Sequence, residues 1–600
     1  MNCVASSAPI TKISDSSSSS DSSVERSRRP FPTTFQTIIF LLFVAIHFLC
    51  TSSVRVNSLE IPYPSRHPSR INPLKMTVTT NRAASSPLKI AVIGAGAAGL
   101  AAARVISRSG RPVSLTVLEK DFEVGGIWCY RQQTEDGHNP TINKARPMYR
   151  GLRTNLPKEV MQYREFPWIL ENDDGCCNHP APSFVTHSQV ADYLRNYATK
   201  FGLDNYIQYG ASVKQLTLLR NDPDVSKVST SGSAEQWPKI RLEWEIQTPS
   251  PLGVTSTQQS VPEEHYSEVF DAVMVCNGHY SQPSSPPIAG LAENFKGKTM
   301  HSISYDDPKD FIGQSVLCIG GRASGSDLAR ELSFHAKEVF LSDTTCSEVT
   351  KVVDSDNDTQ VTWVPKTVAV RKDGSVQFDN ECPLHPIPDT IIFCSGYDYS
   401  FPFLNEKSNI ELQVVPGERR VSPLYKQLWH AKFPNLALVG LPHSVVPFPL
   451  MEFQSEAVWA QWQKCTLPNV EERLREARAD ANSGGAANKG RVVDTHFLGD
   501  AQWDYCREMA RFAGLYDSKK TAESTEAYIR MNRALYDYAG QARKSVLPGG
   551  PDTYRSLIFT RDQSQTKFDV VDPLASDVNP SDEDGTSSRE PVNKTVSIAS

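Results

Sequence analysis

The stretch KIAVIGAGAAGLAAARVI, residues 89–106, decides the fold. Its apolar run, residues 90–93, reads as a strand buried on both faces of a parallel sheet. The run breaks at Gly94-Ala95-Gly96-Ala97-Ala98-Gly99 and continues as an alanine-rich helix. In this pattern Gly94 permits the tight turn, Gly96 lets a pyrophosphate approach the backbone, and Gly99 lets helix pack on strand. The phosphates then lie at the helix N-terminus, beside Ala97 and Ala98, where free N–H groups and the helix dipole favour negative charge. SLTVLEK, residues 114–120, follows as a second strand ending at Glu119, 20 residues after Gly99. That is where a carboxylate accepts hydrogen bonds from an adenosine ribose.

A second turn of the same kind, IGGRASGSDLAREL, covers residues 319–332 after the apolar residues 316–319. Gly320 and Gly325 fill the first and third glycine places, and Arg322 stands in the middle one. A side chain there crowds a pyrophosphate unless the backbone or the cofactor shifts, and an ordinary strand-to-helix turn reads the same way. Ser324, Ser326 and Asp327 sit at the helix start, where they can cap it or reach a phosphate or ribose. The next strand, EVFLSDTT (338–345), ends without the basic residue that often meets a 2′-phosphate. NADPH and NADH therefore both stay open. Two such turns in one chain imply two nucleotides held close enough to react.

FKGKTMHSISY, residues 295–305, lies just ahead of the second turn and meets the pattern F-x-G-x-x-x-H-x-x-x-[F/Y] through Phe295, Gly297, His301 and Tyr305. With this pattern the chain resembles the flavin-containing monooxygenases, most closely the plant-type S-oxygenating members. Tyr305, where the Baeyer–Villiger branch carries Trp, speaks against that branch. EVGGIWCY (123–130) resembles the family's flavin-contacting segment, and MYRGLRTNLPKEVMQYREFPW (148–168) the segment bearing its active-site asparagine, here Asn155. VCNGHYSQP (275–283), DTIIFCSGYDYSFPFL (389–404) and FPNLALVGLPHSVVPFPLMEFQSEAVW (433–459) complete a match over about residues 88–475.

The resemblance implies an α/β fold of two Rossmann-like domains, an FAD domain interrupted by an NADP domain. It implies FAD held by Gly94, Gly96, Ala97, Ala98, Gly99, Glu119, Ile127, Trp128 and Thr154. Gly320, Ser324, Gly325, Ser326 and Asp327 would hold NADPH, with Asn155 facing both cofactors as the candidate catalytic residue. NADPH would reduce the flavin, O₂ would add to it as a hydroperoxide, and a soft nucleophile, sulfur or nitrogen, would take the distal oxygen. His301 is expected to be structural. An FAD-dependent NADPH oxidase releasing peroxide, or a nucleotide-binding protein without turnover, would carry the same motifs.

Six hundred residues imply several domains. A net charge of −6 with scattered basic residues points to no nucleic-acid partner. The twelve cysteines include no C-x-x-C pair, which argues against a redox dithiol and the usual zinc spacing. Residues 1–85 are expected to be a targeting segment: a serine-rich stretch, three arginines, then an apolar run at 38–50. That run matches a secretory signal or anchor and is shorter than the ~20 residues of a membrane span. It suggests the endoplasmic reticulum or secretory pathway with membrane association there. A bipartite organelle signal, or a cytosolic protein starting at Met76, is the alternative. The FAD domain is expected at 86–282, the NADP domain at 283–378, the FAD domain's second part with C-terminal helices at 379–545, and a solvated acidic tail at 546–600. KIRLEWEI (239–246) suggests a surface hairpin. Oligomeric state is not legible.

Overall fold

The structure, a computed structural model, describes residues 87–131, 146–168, 182–219, 237–246, 264–415, 419–483, 494–576 and 591–598. The apolar run at 38–50 and Met76 lie outside them. No helix among the described residues is long and apolar enough to cross a membrane.

Two mostly parallel sheets, each with antiparallel pairing at one edge, organise the chain. The first has seven strands, with Leu88–Ile93 in its interior between Val113–Leu118 and Ala272–Val275. Ile90, Ala91 and Val92 have no exposed surface, as an apolar run flanked by strands on both edges requires. The helix Ala97–Ser107 leaves the first strand and packs against Pro447–Lys464. The second sheet has six strands, ordered Thr350–Asp354, Thr359–Val364, Glu338–Ser342, Ser315–Ile319, Thr390–Phe393 and Lys298–His301. Ser315–Ile319 feeds the helix Ala323–Ser333. The α/β class with two Rossmann-like units is as expected.

Three boundaries differ from expectation. Thr390–Phe393 was expected to return the chain to the first sheet, closing the NADP domain at 378; it pairs instead with Ser315–Ile319 and Lys298–His301. The second unit thus runs through Phe393, and the chain rejoins the first sheet at Leu424–Tyr425, Trp429–His430 and Leu436–Leu438. An apolar strand run does not say which of two similar sheets it completes. The expected hairpin is a three-stranded meander, Ala211–Leu219, Lys239–Ile246 and Glu264–Phe270.

The third correction is the solvated tail at 546–600. Ile558–Arg561, Lys567–Ser576 and Pro591–Ser597 form a three-stranded antiparallel sheet. Phe559, Phe568 and Val570 are buried and join the core of the first domain. Mean composition hid an alternation of buried and exposed residues in this segment, which is the signal of a half-buried strand.

Candidate functional site: two dinucleotide cradles

In the first turn Gly94 has φ +101° and donates its N–H to Leu118 O at 2.8 Å. A Cβ on Gly94 would lie 2.6 Å from Cys276 O, and one on Gly99 would lie 1.8 Å from Gly94 O. Both places demand glycine. Gly96 is different: its backbone is ordinary extended chain, and a Cβ there would meet Gly126 Cα at 3.5 Å, a normal contact. What glycine gives at that place is open space for a ligand. The segment carrying Ile127 and Trp128 folds over this turn, with Gly125 N–H donating to Ala95 O at 3.1 Å. Trp128 is half-buried and meets Phe448 edge-on, at the start of Pro447–Lys464.

Glu119 is buried. Its Oε2 accepts from Ala95 N–H at 2.5 Å and its Oε1 from Asp121 N–H at 2.9 Å. Burial pushes its pKa up while the two N–H groups pull it down. These bonds aim the carboxyl at the mouth of the glycine turn, and each oxygen keeps a lone pair. Glycines that a Cβ would collide with, a helix N-terminus without a side-chain cap, and an acid at the second strand's end fit an FAD adenosine diphosphate.

The second turn repeats the first place by place. Gly320 has φ +111°, its N–H donates to Ser342 O at 2.8 Å, and a Cβ on it would lie 2.6 Å from Cys394 O. A Cβ on Gly325 would lie 1.7 Å from Gly320 O. Arg322 has φ −74° and ψ −169°, against −73° and −171° at Gly96, so the backbone needs no shift to hold it. Its guanidinium reaches the ring of Phe497, 5.9 Å from the centroid.

The remaining candidates fall into two groups. Ser324 is exposed beside Gly320 and Gly325. Ser326 Oγ accepts from Gly549 N–H at 2.8 Å, and Asp327 is gripped by Arg555 at 2.7 and 3.2 Å. Arg555 is almost wholly buried; it also bonds Asp552 Oδ2 at 3.0 Å and donates from Nε to Thr154 O at 3.0 Å. Thr154 in turn pairs with Val185, its N–H donating at 2.8 Å and its Oγ1 accepting at 3.1 Å. Asn155, the next residue, is half-buried just ahead of the short helix Lys158–Met161. One arginine therefore ties the helix of the second cradle to the Thr154–Asn155 loop. Sequence reasoning missed it because it treated its whole segment as tail, although YRSLIF (554–559) carries the apolar residues of an ordered chain.

The FKGKTMHSISY motif holds the second unit together. His301 Nδ1 accepts from Ile303 N–H at 3.2 Å, so its Nε2–H donates to Gly396 O, 3.0 Å away, and burial lowers its pKa. Tyr305 donates its hydroxyl to Glu331 Oε2 at 3.0 Å and meets Tyr149 edge-on. Burial pushes the Glu331 carboxyl up to about 7.

A family model described as flavin-binding monooxygenase-like matches residues 87–362. Flavin-containing monooxygenase FMO GS-OX-like 2 of Arabidopsis thaliana is 35% identical over 69% of this chain and 83% of its own length. The chain belongs to the flavin-binding monooxygenase family. A second Arabidopsis thaliana relative, FMO GS-OX-like 4, is 32% identical over 78% of this chain and 94% of its own. Among solved structures, the S-allyl-L-cysteine S-oxygenase of Allium sativum matches with a TM-score of 0.62 and 29% identity, covering 78% of this chain and 94% of that one. As a member of this family the protein is a flavin-dependent monooxygenase that uses FAD and a nicotinamide dinucleotide with O₂ on a small-molecule substrate.

Proposed function

We propose that this monooxygenase oxygenates the sulfur of small thioethers. The observation that carries the reading is the likeness to the garlic S-allyl-L-cysteine S-oxygenase over nearly the whole of that chain. In this reading Gly94, Gly96, Ala97, Ala98, Gly99, Glu119, Ile127, Trp128 and Thr154 bind FAD. Gly320, Ser324 and Gly325 bind the nicotinamide dinucleotide. Ser326 and Asp327 serve that site indirectly, fixed by Gly549 and Arg555 at the base of the helix. Asn155 orients flavin and nicotinamide, and its loop is held in place through Thr154.

Bound reduced flavin supplies the oxygen-activating chemistry. The chain's own part is to position the two cofactors and keep water from the reacting face. A neutral thioether has no proton to lose, so no residue is assigned as a base.

The test is competition on the purified full chain: a thioether and a tertiary amine at equal concentration, with sulfoxide, N-oxide and hydrogen peroxide counted per nicotinamide oxidised. Sulfoxide as the main product supports the reading. N-oxide in excess would make the protein an N-oxygenase, and peroxide alone would make it an oxidase. In Asn155→Ala, flavin should stay bound while sulfoxide per nicotinamide falls at least about tenfold. An unchanged yield would remove Asn155 from the site.

Entry into the secretory pathway is proposed from residues 38–50. A reporter fused behind residue 85 should enter the endoplasmic reticulum; a cytosolic reporter would contradict this and favour a start at Met76.

A further inference from the structure

The two cradles correspond closely enough to read one from the other. Gly94 donates to Leu118 O and Gly320 to Ser342 O, both at 2.8 Å, and each acceptor ends the second strand of its unit. Glu119 follows Leu118 directly, and Asp343 follows Ser342. Asp343 therefore holds in the second unit the place of the ribose-binding acid in the first. The match extends to its neighbours. Glu119 accepts from the N–H of Ala95, and Asp343 lies in the space a side chain would take at Gly321, the residue corresponding to Ala95. A Cβ on Gly321 would lie 2.0 Å from Asp343 Oδ2, so glycine at 321 is what lets the carboxylate sit against the turn.

Asp343 Oδ1 accepts from Thr345 N–H at 3.1 Å and from the Thr344 hydroxyl at 3.3 Å. Among the described residues Oδ2 has no hydrogen-bond partner and no cation lies within ion-pair distance of Asp343. The side chains that follow, Thr344, Thr345, Cys346, Ser347 and Glu348, include no base. Arg322, the cation of the turn itself, extends to Phe497.

We infer that Asp343 accepts hydrogen bonds from the adenosine ribose of the nicotinamide dinucleotide and that this protein binds the unphosphorylated cofactor, NAD(H), more tightly than NADP(H). A 2′-hydroxyl donates to the free Oδ2. A 2′-phosphate would bring a second negative charge against it, with no base beside Asp343 to offset the repulsion. The inference rests on the second cradle being the nicotinamide site.

The experiment is calorimetric titration of the FAD-loaded full chain with NAD⁺ and with NADP⁺, for the natural protein and for Asp343→Asn and Asp343→Arg. Flavin content reports folding in each. The natural protein should bind NAD⁺ at least about fivefold more tightly, and Asp343→Arg should reverse the order, moving the ratio at least about tenfold toward NADP⁺. Asp343→Asn should fall between them. Equal binding, or tighter binding of NADP⁺ by the natural protein, overturns the inference, as does a ratio that Asp343→Arg leaves unmoved. Binding of neither dinucleotide by a flavin-loaded chain overturns the nicotinamide assignment beneath it.

Discussion

Gly96 and Arg322 hold the same place in two turns with nearly the same backbone angles, −73°/−171° and −74°/−169°. The middle glycine of such a turn is therefore a matter of space, not of backbone conformation. The first and third glycines are the reverse: an added Cβ on Gly99 would sit 1.8 Å from Gly94 O. Gly99→Ala should push the helix off the strand, at a cost of about 3 kcal/mol or more, and yield protein without flavin absorbance near 450 nm. Gly96→Ala should fold with an unchanged melting temperature and bind FAD weakly. Equal flavin content in both variants would contradict this division. These glycines and Glu119 were legible in the sequence because spacing alone marks them. Asp343 carried a signal too, since it follows its strand as Glu119 follows the other. The search there was for a base, and so the acid was passed over.

At the scale of elements, the contacts between the two units turn on Glu331 and Arg555. Glu331 lies on the helix Ala323–Ser333 under Tyr305, and its Oε1 would be 2.5 Å from a Cβ on Gly151. Burial raises its carboxyl from 4.5 to about 7, so the folded protein holds that proton more tightly than the unfolded chain. The stability this confers is full below about pH 4.5 and is lost as pH rises through 7. The loss is on the order of 3 kcal/mol. Glu331→Gln should flatten the fall in melting temperature between pH 5 and about 7.5 and leave the variant more stable at the upper end. A slope equal to that of the natural protein would dismiss Glu331 as its source.

Arg555 belongs to the same layer of contacts. Arg555→Ala leaves the half-buried Asp327 carboxylate with Arg330 alone, 3.6 Å away, frees Thr154 O, and should cost about 3 kcal/mol. Denaturant midpoints would measure it, and a change under about 0.5 kcal/mol would contradict the strap. None of this was legible beforehand. The segment's acidic and serine-rich composition outweighed its apolar alternation, and a contact between Arg555 and Asp327, 228 residues apart, leaves no local pattern.

For the whole molecule, the order of motifs was readable along the chain because each nucleotide unit is a local strand–turn–helix–strand. Where the second unit ended was not. Ala272–Val275 and Thr390–Phe393 are both fully buried runs followed by cysteine, and each completes the sheet of its own unit beside a glycine turn. Only the pairing of strands tells them apart. The Thr154–Asn155 loop lies in the first unit, where its number put it, and is fixed to the second by Arg555, which is the arrangement a hydride transfer between two bound nucleotides needs.

The central claim, flavin-dependent oxygen transfer to sulfur, is tested most directly with ¹⁸O₂. The full chain, loaded with FAD and given a simple dialkyl thioether, should form one sulfoxide carrying one ¹⁸O atom for each nicotinamide oxidised. Nicotinamide oxidation matched by hydrogen peroxide, with no labelled sulfoxide, would contradict it.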